Sequence, residues 1–198
     1  MNDAWKLYDK HAGAIDAARN RTLMERAYLD RVLEGLKPGA KVLDLGCGAG
    51  EPIAKVFIDA GHSVTGVDAA DAMLDICRLR WPEGDWICAD MRALDLGRRF
   101  DAIVAWDSFF HLGQDDQRAM FARFKAHAAP GAALLFTAGP EAGEALGDLF
   151  GETLYHASLD PAEYRALLAE NGFEAVRYVP EDPDCGGHTV WLAAFTEI

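Results

Sequence analysis

The sequence predicts an α/β fold: a doubly wound, mostly parallel sheet of seven strands with helices on both faces and a C-terminal antiparallel strand. Three observations carry this reading. Short β-branched and leucine-rich runs alternate strictly with helix-like segments of about ten residues, the pattern of βαβ units. A glycine cluster stands at the first strand–helix junction. The last two apolar runs are separated by a connection too short for a crossover helix, so they must pair antiparallel.

The elements follow in order. From Asn2 to Leu36 the pattern is helical: Leu23, Ala27, Val32 and Leu36 recur among charges, and Lys37-Pro38-Gly39 ends the run. Lys41–Leu45 is the first strand. Pro52–Ala60 is a helix, with proline at its first position and Gly61 past its end. Ser63–Val67 and Asp85–Ala89 are strands on either side of a helix over Asp71–Leu79. Asp101–Trp106 is the fourth strand. Asp115–Ala128 is an amphipathic helix that Pro130-Gly131 stops, and Ala132–Thr137 is the fifth strand. The stretch from Ala138 to Ser158 is long for a connector, which in a compact domain marks a functional segment. Asp160-Pro161-Ala162-Glu163 starts a helix as a capping box, and Asn171-Gly172 ends it. Phe173–Val179 and Thr189–Phe195 complete the sheet. The whole of 1–198 reads as a single domain, and a chain of this length buries roughly 70% of its unfolded surface.

Composition narrows the function. Asp and Glu number 32 against 19 Lys and Arg, a formal net charge of −13. That field repels phosphate backbones and anionic lipid, so neither nucleic acid nor membrane is an expected partner. No window approaches the ~18 apolar residues of a spanning helix. Cys47, Cys77, Cys88 and Cys185 form no C-x-x-C pair, and no histidine stands at zinc-ligand spacing. They read as reduced thiols of a cytoplasmic protein, and no metal is expected.

The strongest motif is Val42-Leu43-Asp44-Leu45-Gly46-Cys47-Gly48-Ala49-Gly50. Glycines at a strand–helix turn let a ligand approach the backbone beside the positive end of a helix. A nicotinamide fingerprint, G-x-G-x-x-G, needs glycine at position 51, where this chain has Glu51. The G-K-S/T of a phosphate-binding loop is also absent. Glu51 would repel a pyrophosphate, so the ligand is not a polyphosphate.

The D-L-G-C-G-x-G signature, placed between a strand and a helix, resembles that of the class I S-adenosylmethionine-dependent methyltransferases. Other landmarks of that family fall at successive strand ends. Val64-Thr65-Gly66-Val67-Asp68 ends the second strand in an acid, 18 residues after Gly50. The resemblance implies that Asp68, with Ala69 beside it, accepts the ribose hydroxyls, a role an acceptor-only carboxylate suits. It implies that Asp90, with Met91, meets the adenine amino group. It places Trp106 and Asp107 under the transferred methyl, and Asp44, Gly46, Cys47, Gly48 and Gly50 around the methionine half. The fold it implies is the Rossmann-like methyltransferase fold, with the ligand at the carboxyl ends of the strands.

The acceptor is less legible. Family members that methylate nucleobase amines carry an acid or asparagine followed by Pro-Pro-aromatic after the fourth strand. Asp107-Ser108-Phe109 lacks both prolines. That and the negative charge favour a small-molecule acceptor, methylated on oxygen or nitrogen. Phe109, Phe110 and His111 are candidates for the pocket wall, with at least one phenylalanine packed beneath the following helix. His111 and His156 are candidate general bases. Tyr8, Asp107, Phe110, Tyr155 and His188 are candidate substrate contacts. Residues 1–36, with Trp5, Tyr8, Arg19 and Arg21, are expected to form a lid, and 138–158 a flap over the acceptor site. The alternatives are a protein methyltransferase, a non-catalytic S-adenosylmethionine-binding module and, disfavoured by Glu51, a nicotinamide-dependent oxidoreductase. Oligomeric state is not legible.

Overall fold

The structure is a computed structural model that describes residues 3–196. Its elements are α1 (Ala4–Lys10), α2 (Ala12–Ala18), α3 (Arg26–Gly35), β1 (Lys41–Leu45), α4 (Ile53–Asp59), β2 (Ser63–Asp68), α5 (Asp71–Arg80), β3 (Asp85–Cys88), β4 (Phe100–Ala105), α6 (Gln114–His127), β5 (Ala128–Ala138), β6 (Gly143–Leu149), β7 (Glu152–Ser158), α7 (Pro161–Glu170), β8 (Phe173–Asp182) and β9 (His188–Phe195). Single 3₁₀ turns cover Met91–Ala93, Phe109–His111 and Pro183–Cys185.

Seven strands form one sheet in the order β3-β2-β1-β4-β5-β9-β8. The first five run parallel, and β9 is antiparallel to both its neighbours. The strand order reverses between β1 and β4, and that switch point is where ligands of open α/β sheets bind. Two cores cover the sheet. One joins α3, α4 and α5 to it through Leu29, Val32, Phe57 and Cys77. The other is a stack of aromatic rings, Phe109, Phe121, Phe124, Phe136, Tyr164 and Trp191, under α6 and α7.

Three segments depart from expectation. The N-terminal helical run is three helices, broken at His11 and again over 19–25, where Leu23 has a left-handed backbone (φ 57°). The chain turns there so that α1 and α2 stand over the carboxyl ends of the strands, packing Ala12 against Ala49, Ala70 and Met73. Asn2, the expected start of that run, lies outside the described residues. The Pro130-Gly131 pair does not separate helix from strand. β5 starts at Ala128, opposite Phe100, and the pair sits in an irregularity before pairing resumes at Ala133.

The third departure is the 138–158 segment, which contains a regular hairpin. β6 and β7 pair from Gly143–Ser158 to Leu149–Glu152. Phe150 (φ 54°) and Gly151 (φ 82°) make the two-residue turn, the backbone that right-twisted hairpins favour. The β6 sequence GEALGDL has no β-branched residue, so its propensity gave no strand signal.

Candidate active site

The loop after β1 is fixed by backbone. The Gly46 and Cys47 amides both donate to the Val67 carbonyl, at 2.7 and 3.1 Å. Gly46 has φ 72°, and a Cβ there would lie 2.2 Å from Ser108 Cβ. Ser108 in turn donates its hydroxyl to the Leu45 carbonyl at 2.6 Å. The chain leaving β4 is therefore pressed onto the glycine loop with no room for a side chain between them.

Asp68 joins the loop to the next helix. Its Oδ2 accepts from the Gly48 amide and its Oδ1 from the Ala70 amide, both at 2.8 Å. Burial pushes its carboxyl up, and these amides pull it back. Asp44 lies beneath the loop, 2% exposed, with Oδ2 lacking any partner. Burial, reinforced by the nearby Asp68 charge, pushes it up to about 7. At the far end of the cleft Asp90 caps the Met91–Ala93 turn. Arg92 holds it from Nε at 2.9 Å to both oxygens, keeping it below the usual carboxylate range.

One cleft runs along this edge, lined by Asp44, Gly46, Cys47, Gly48, Asp68, Ala69, Asp90, Met91 and Trp106. Of the expected cofactor residues only Gly50 is outside it; a Cβ there would strike Trp81 at 2.5 Å, so this glycine serves packing. Sequence reasoning missed Ser108, Asp16 and Arg92, which also line the cleft. They belong to no motif and reach it through tertiary packing.

The acceptor candidates divide. Tyr8, Asp107 and His111 line the cleft, whereas Phe110, Tyr155, His156 and His188 are not among its lining residues and instead contact His111 or Asp107. The Tyr8 hydroxyl lies 2.8 Å from His111 Nε2, and His111 Nδ1 lies 3.1 Å from the Tyr155 carbonyl. The carbonyl only accepts, so Nδ1 carries the hydrogen and Nε2 accepts from Tyr8. Burial pushes His111 down to about 4. His156 packs against it with the rings tilted, centroids 4.9 Å apart, and Phe110 packs edge-on against both rings. Asp107 lies between Arg19 (3.2 Å) and His188 (2.9 Å). Although burial pushes its carboxyl up, the His188 hydrogen bond and the Arg19 charge outweigh this and hold it below the ordinary value.

The helices above the cleft are held by charge. Asp16 accepts from Arg80 at 2.6 and 2.8 Å and from Arg21 at 2.7 Å. Arg21 also pairs with Glu51, so that carboxylate is neutralised in place. Asp9 accepts from the Ala72 amide at 2.9 Å, capping α5 from α1. Asp16→Ala should loosen this arrangement by about 1 kcal/mol, the scale of a partly exposed pair. Hydrogen exchange in α2 should rise roughly fivefold and cofactor release should quicken to match.

A family model described as a methyltransferase domain matches residues 42–131. The chain is 38% identical over 93 residues to dTDP-3-amino-3,6-dideoxy-alpha-D-glucopyranose N,N-dimethyltransferase of Streptomyces fradiae, covering 46% of this chain and 36% of the relative. It is 29% identical over 178 residues to malonyl-[acyl-carrier protein] O-methyltransferase of Serratia marcescens, covering 85% and 67%. Over that matched segment the chain is similar to methyltransferases. It spans about a third of the first of those relatives and two thirds of the second. Among solved structures of this methyltransferase fold, an S-adenosylmethionine-bound amino pentose methyltransferase of Micromonospora echinaspora, from calicheamicin biosynthesis, superposes with TM-score 0.72 at 24% identity, covering 94% of this chain and 96% of that one. A 1,6-didemethyltoxoflavin-N1-methyltransferase of Burkholderia thailandensis superposes with TM-score 0.74 at 23% identity, covering 98% and 87%.

The cleft fits the cofactor of these methyltransferases. The unpartnered, buried Asp44 oxygen has the chemistry to accept from an ammonium group such as that of methionine. Asp68 has one amide on each oxygen and keeps lone pairs for hydroxyl donors. Beside Gly48 there is no atom within 4 Å of where a Cβ would stand, which leaves the backbone open to a ligand. Among the described residues no helix is long and apolar enough to cross a membrane.

Proposed function

We propose that this chain transfers a methyl group from S-adenosylmethionine to an oxygen or nitrogen atom of a small molecule by direct in-line displacement. The observation that carries the reading is the buried Asp44 carboxylate, unpartnered in the wall of a cleft at the switch point of the sheet. When bound, the cofactor supplies a methyl carbon made electrophilic by a sulfonium. Asp44 would hold its ammonium, Asp68 its ribose hydroxyls, and the Asp90–Met91 corner its adenine. Of the relatives named above, the first acts on a nucleotide-linked amino sugar, which supports a small acceptor, and the second on malonyl-[acyl-carrier protein]. The net charge of −13 and the absence of prolines after Asp107 speak against nucleic acid.

The protein's own part is alignment in a dry site. Helices α1 and α2 form a lid that must open to admit ligands, and the β6–β7 hairpin is the flap. His111 is neutral at pH 7 and already hydrogen-bonded on both nitrogens, so its role is to orient the Tyr8 hydroxyl. His156 packs against that ring.

Calorimetry tests the reading: S-adenosylhomocysteine should bind at one site per chain and NAD should not bind. Binding of NAD alone would end it. Asp68→Ala should weaken S-adenosylhomocysteine by about 1.5–3 kcal/mol, the scale of hydrogen bonds to a charged group, with the fold retained. A turnover screen over a metabolite library, following release of S-adenosylhomocysteine, identifies the acceptor.

A further inference from the structure

At its His111 end the cleft is bordered by two segments far apart in the sequence, the lid helix α1 and strand β7 of the hairpin. They are joined twice, at points three residues apart on each. Deep in the seam, the Tyr8 hydroxyl donates to His111 Nε2 at 2.8 Å, and His111 Nδ1 donates to the Tyr155 carbonyl at 3.1 Å. At the rim, Glu152 Oε1 accepts from Lys10 Nζ at 2.8 Å and from His11 Nε2 at 2.6 Å. A carboxylate only accepts, so that His11 nitrogen carries the hydrogen. Phe150, exposed at the turn, meets the His11 ring with centroids 5.3 Å apart. Tyr8 and His111 line the cleft, and no residue of the hairpin does. The Tyr8–His111 bond is therefore a bar between the cleft and the face of the hairpin on which His156 and Phe110 pack.

The two segments are held unequally. On the lid side Asp9 accepts from the Ala72 amide, and Asp16 binds Arg80 and Arg21, so α1 and α2 are tied down independently of the hairpin. The hairpin is fixed at its base. Gln117 and Gln114 donate to the Ala157 and Ser158 carbonyls at 2.7 and 2.9 Å, and the Gly139 amide donates to Ser158 Oγ at 2.6 Å. Ala157 and Ser158 are buried, whereas β6 is exposed along most of its length. Among the described hydrogen bonds, ion pairs and ring contacts, the tip over 149–152 meets residues outside the hairpin only at Lys10 and His11. An element with little buried surface and one set of outside contacts opens at low cost. We propose that the β6–β7 hairpin is the gate through which the methyl acceptor reaches the cleft, swinging about its base, and that Glu152, held by Lys10 and His11, is its latch. The proposal rests on the methyl-transfer reading above. Opening breaks the Glu152 contacts, draws the Tyr155 carbonyl away from His111 and lets His111 leave Tyr8, which joins the cleft to the space along β7. Closing restores the bar and the dry site that alignment needs. The latch is an exposed cluster of charges, so ionic strength sets how often the gate stands open. Passage of the cofactor is separate, because it displaces the lid rather than the hairpin.

The test uses diethyl pyrocarbonate, which acylates unprotonated imidazole nitrogens, on the ligand-free protein at pH 7.5, with each histidine followed by mass spectrometry. Glu152→Gln keeps the shape of the side chain and removes its charge. It should raise the acylation rates of His111 and His156 several-fold, the scale of a lost exposed ion pair. His62 and His127, which have no contact with the hairpin or the lid, should keep their rates. Lys10→Gln should give a smaller rise. Raising the salt from about 20 mM to about 0.5 M should speed His111 and His156 in wild type and do little in Glu152→Gln. Calorimetry on the same samples should find S-adenosylhomocysteine affinity within about twofold of wild type. Unchanged rates at His111 and His156 in Glu152→Gln would overturn the latch. So would an equal rise at His62 and His127, or a salt effect that the variant shares in full. A loss of S-adenosylhomocysteine affinity matching the gain in acylation would make the hairpin a gate for the cofactor and overturn the proposal as well. If S-adenosylhomocysteine fails to bind wild type, the methyl-transfer reading has failed and the gate loses its substrate. The acylation rates, read without ligand, still decide whether the latch exists.

Discussion

Replacing Asp44 by asparagine should make the ligand-free protein more stable at pH 8 while weakening its hold on the cofactor. The folded protein pushes this carboxyl up to about 7, chiefly by burial, from an ordinary value of 3.8. Between those values the folded state keeps a proton that the unfolded state releases. Stability is therefore full below about pH 4 and is lost as pH rises through 7. At 1.36 kcal/mol per unit the loss is on the order of 4 kcal/mol. Asparagine does not titrate and escapes it. Thermal melts from pH 5 to pH 8 should fall more steeply for wild type than for the variant. S-adenosylhomocysteine should restore much of the wild-type loss at pH 8, because its ammonium neutralises the charge. It should restore little in the variant. Parallel melting curves would show that Asp44 is stabilised by something other than a ligand.

Phe109→Ala should cost about 3–5 kcal/mol of stability, the range for removing a fully buried phenylalanine. Phe109 is the centre of the aromatic stack, with Phe136, Phe124, Phe121 and Tyr164 at ring-centroid distances of 5.4, 5.7, 6.1 and 6.2 Å. Its neighbour Phe110 is only half-buried and meets just His111 and His156 among described ring contacts. Phe110→Ala should cost about 1 kcal/mol, and urea denaturation separates the two. The pair matters because the turn over Phe109–His111 carries His111 into the cleft, and Phe109 is its anchor. A loss below about 1 kcal/mol at Phe109 would mean the turn is held from the lid side instead.

What the sequence made legible follows from where each signal resides. The strands and the glycine loop were readable because parallel strands buried on both faces leave continuous apolar runs, and because turns at Gly46 and Gly50 admit no side chain. Asp44, Asp68 and Asp90 were readable as cleft-lining positions because strand ends fix them there. The acceptor side was readable only in part. Phe110, Tyr155, His156 and His188 contact lining residues of the cleft without lining it themselves, and layering is a property of packing that no spacing encodes. Arg92 and Asp16 carry no motif, since each is placed by an ion pair to a distant segment. The β6–β7 hairpin was hidden for a different reason: its first strand has helix-like composition, and only the two-residue turn at Phe150-Gly151 makes it a strand.

The place of β9 in the sheet sets which contacts of the cleft depend on the last strand of the chain. β9 leaves the ribosome after β8 yet lies inside it, between β8 and β5. A nascent chain that has emerged as far as Gly187 already contains the glycine loop, Asp68 and the sequences of α1 and α2. It lacks His188, and the Phe136 ring that will stack on Trp191 has no cover on that side. The cleft's contacts are therefore complete only when β9 is in place. The Arg19 partner of Asp107 is already in that early chain, and only its His188 partner comes with the late strand. A chain ending before that point would carry the glycine loop and Asp68 with Asp107 tied from one side only.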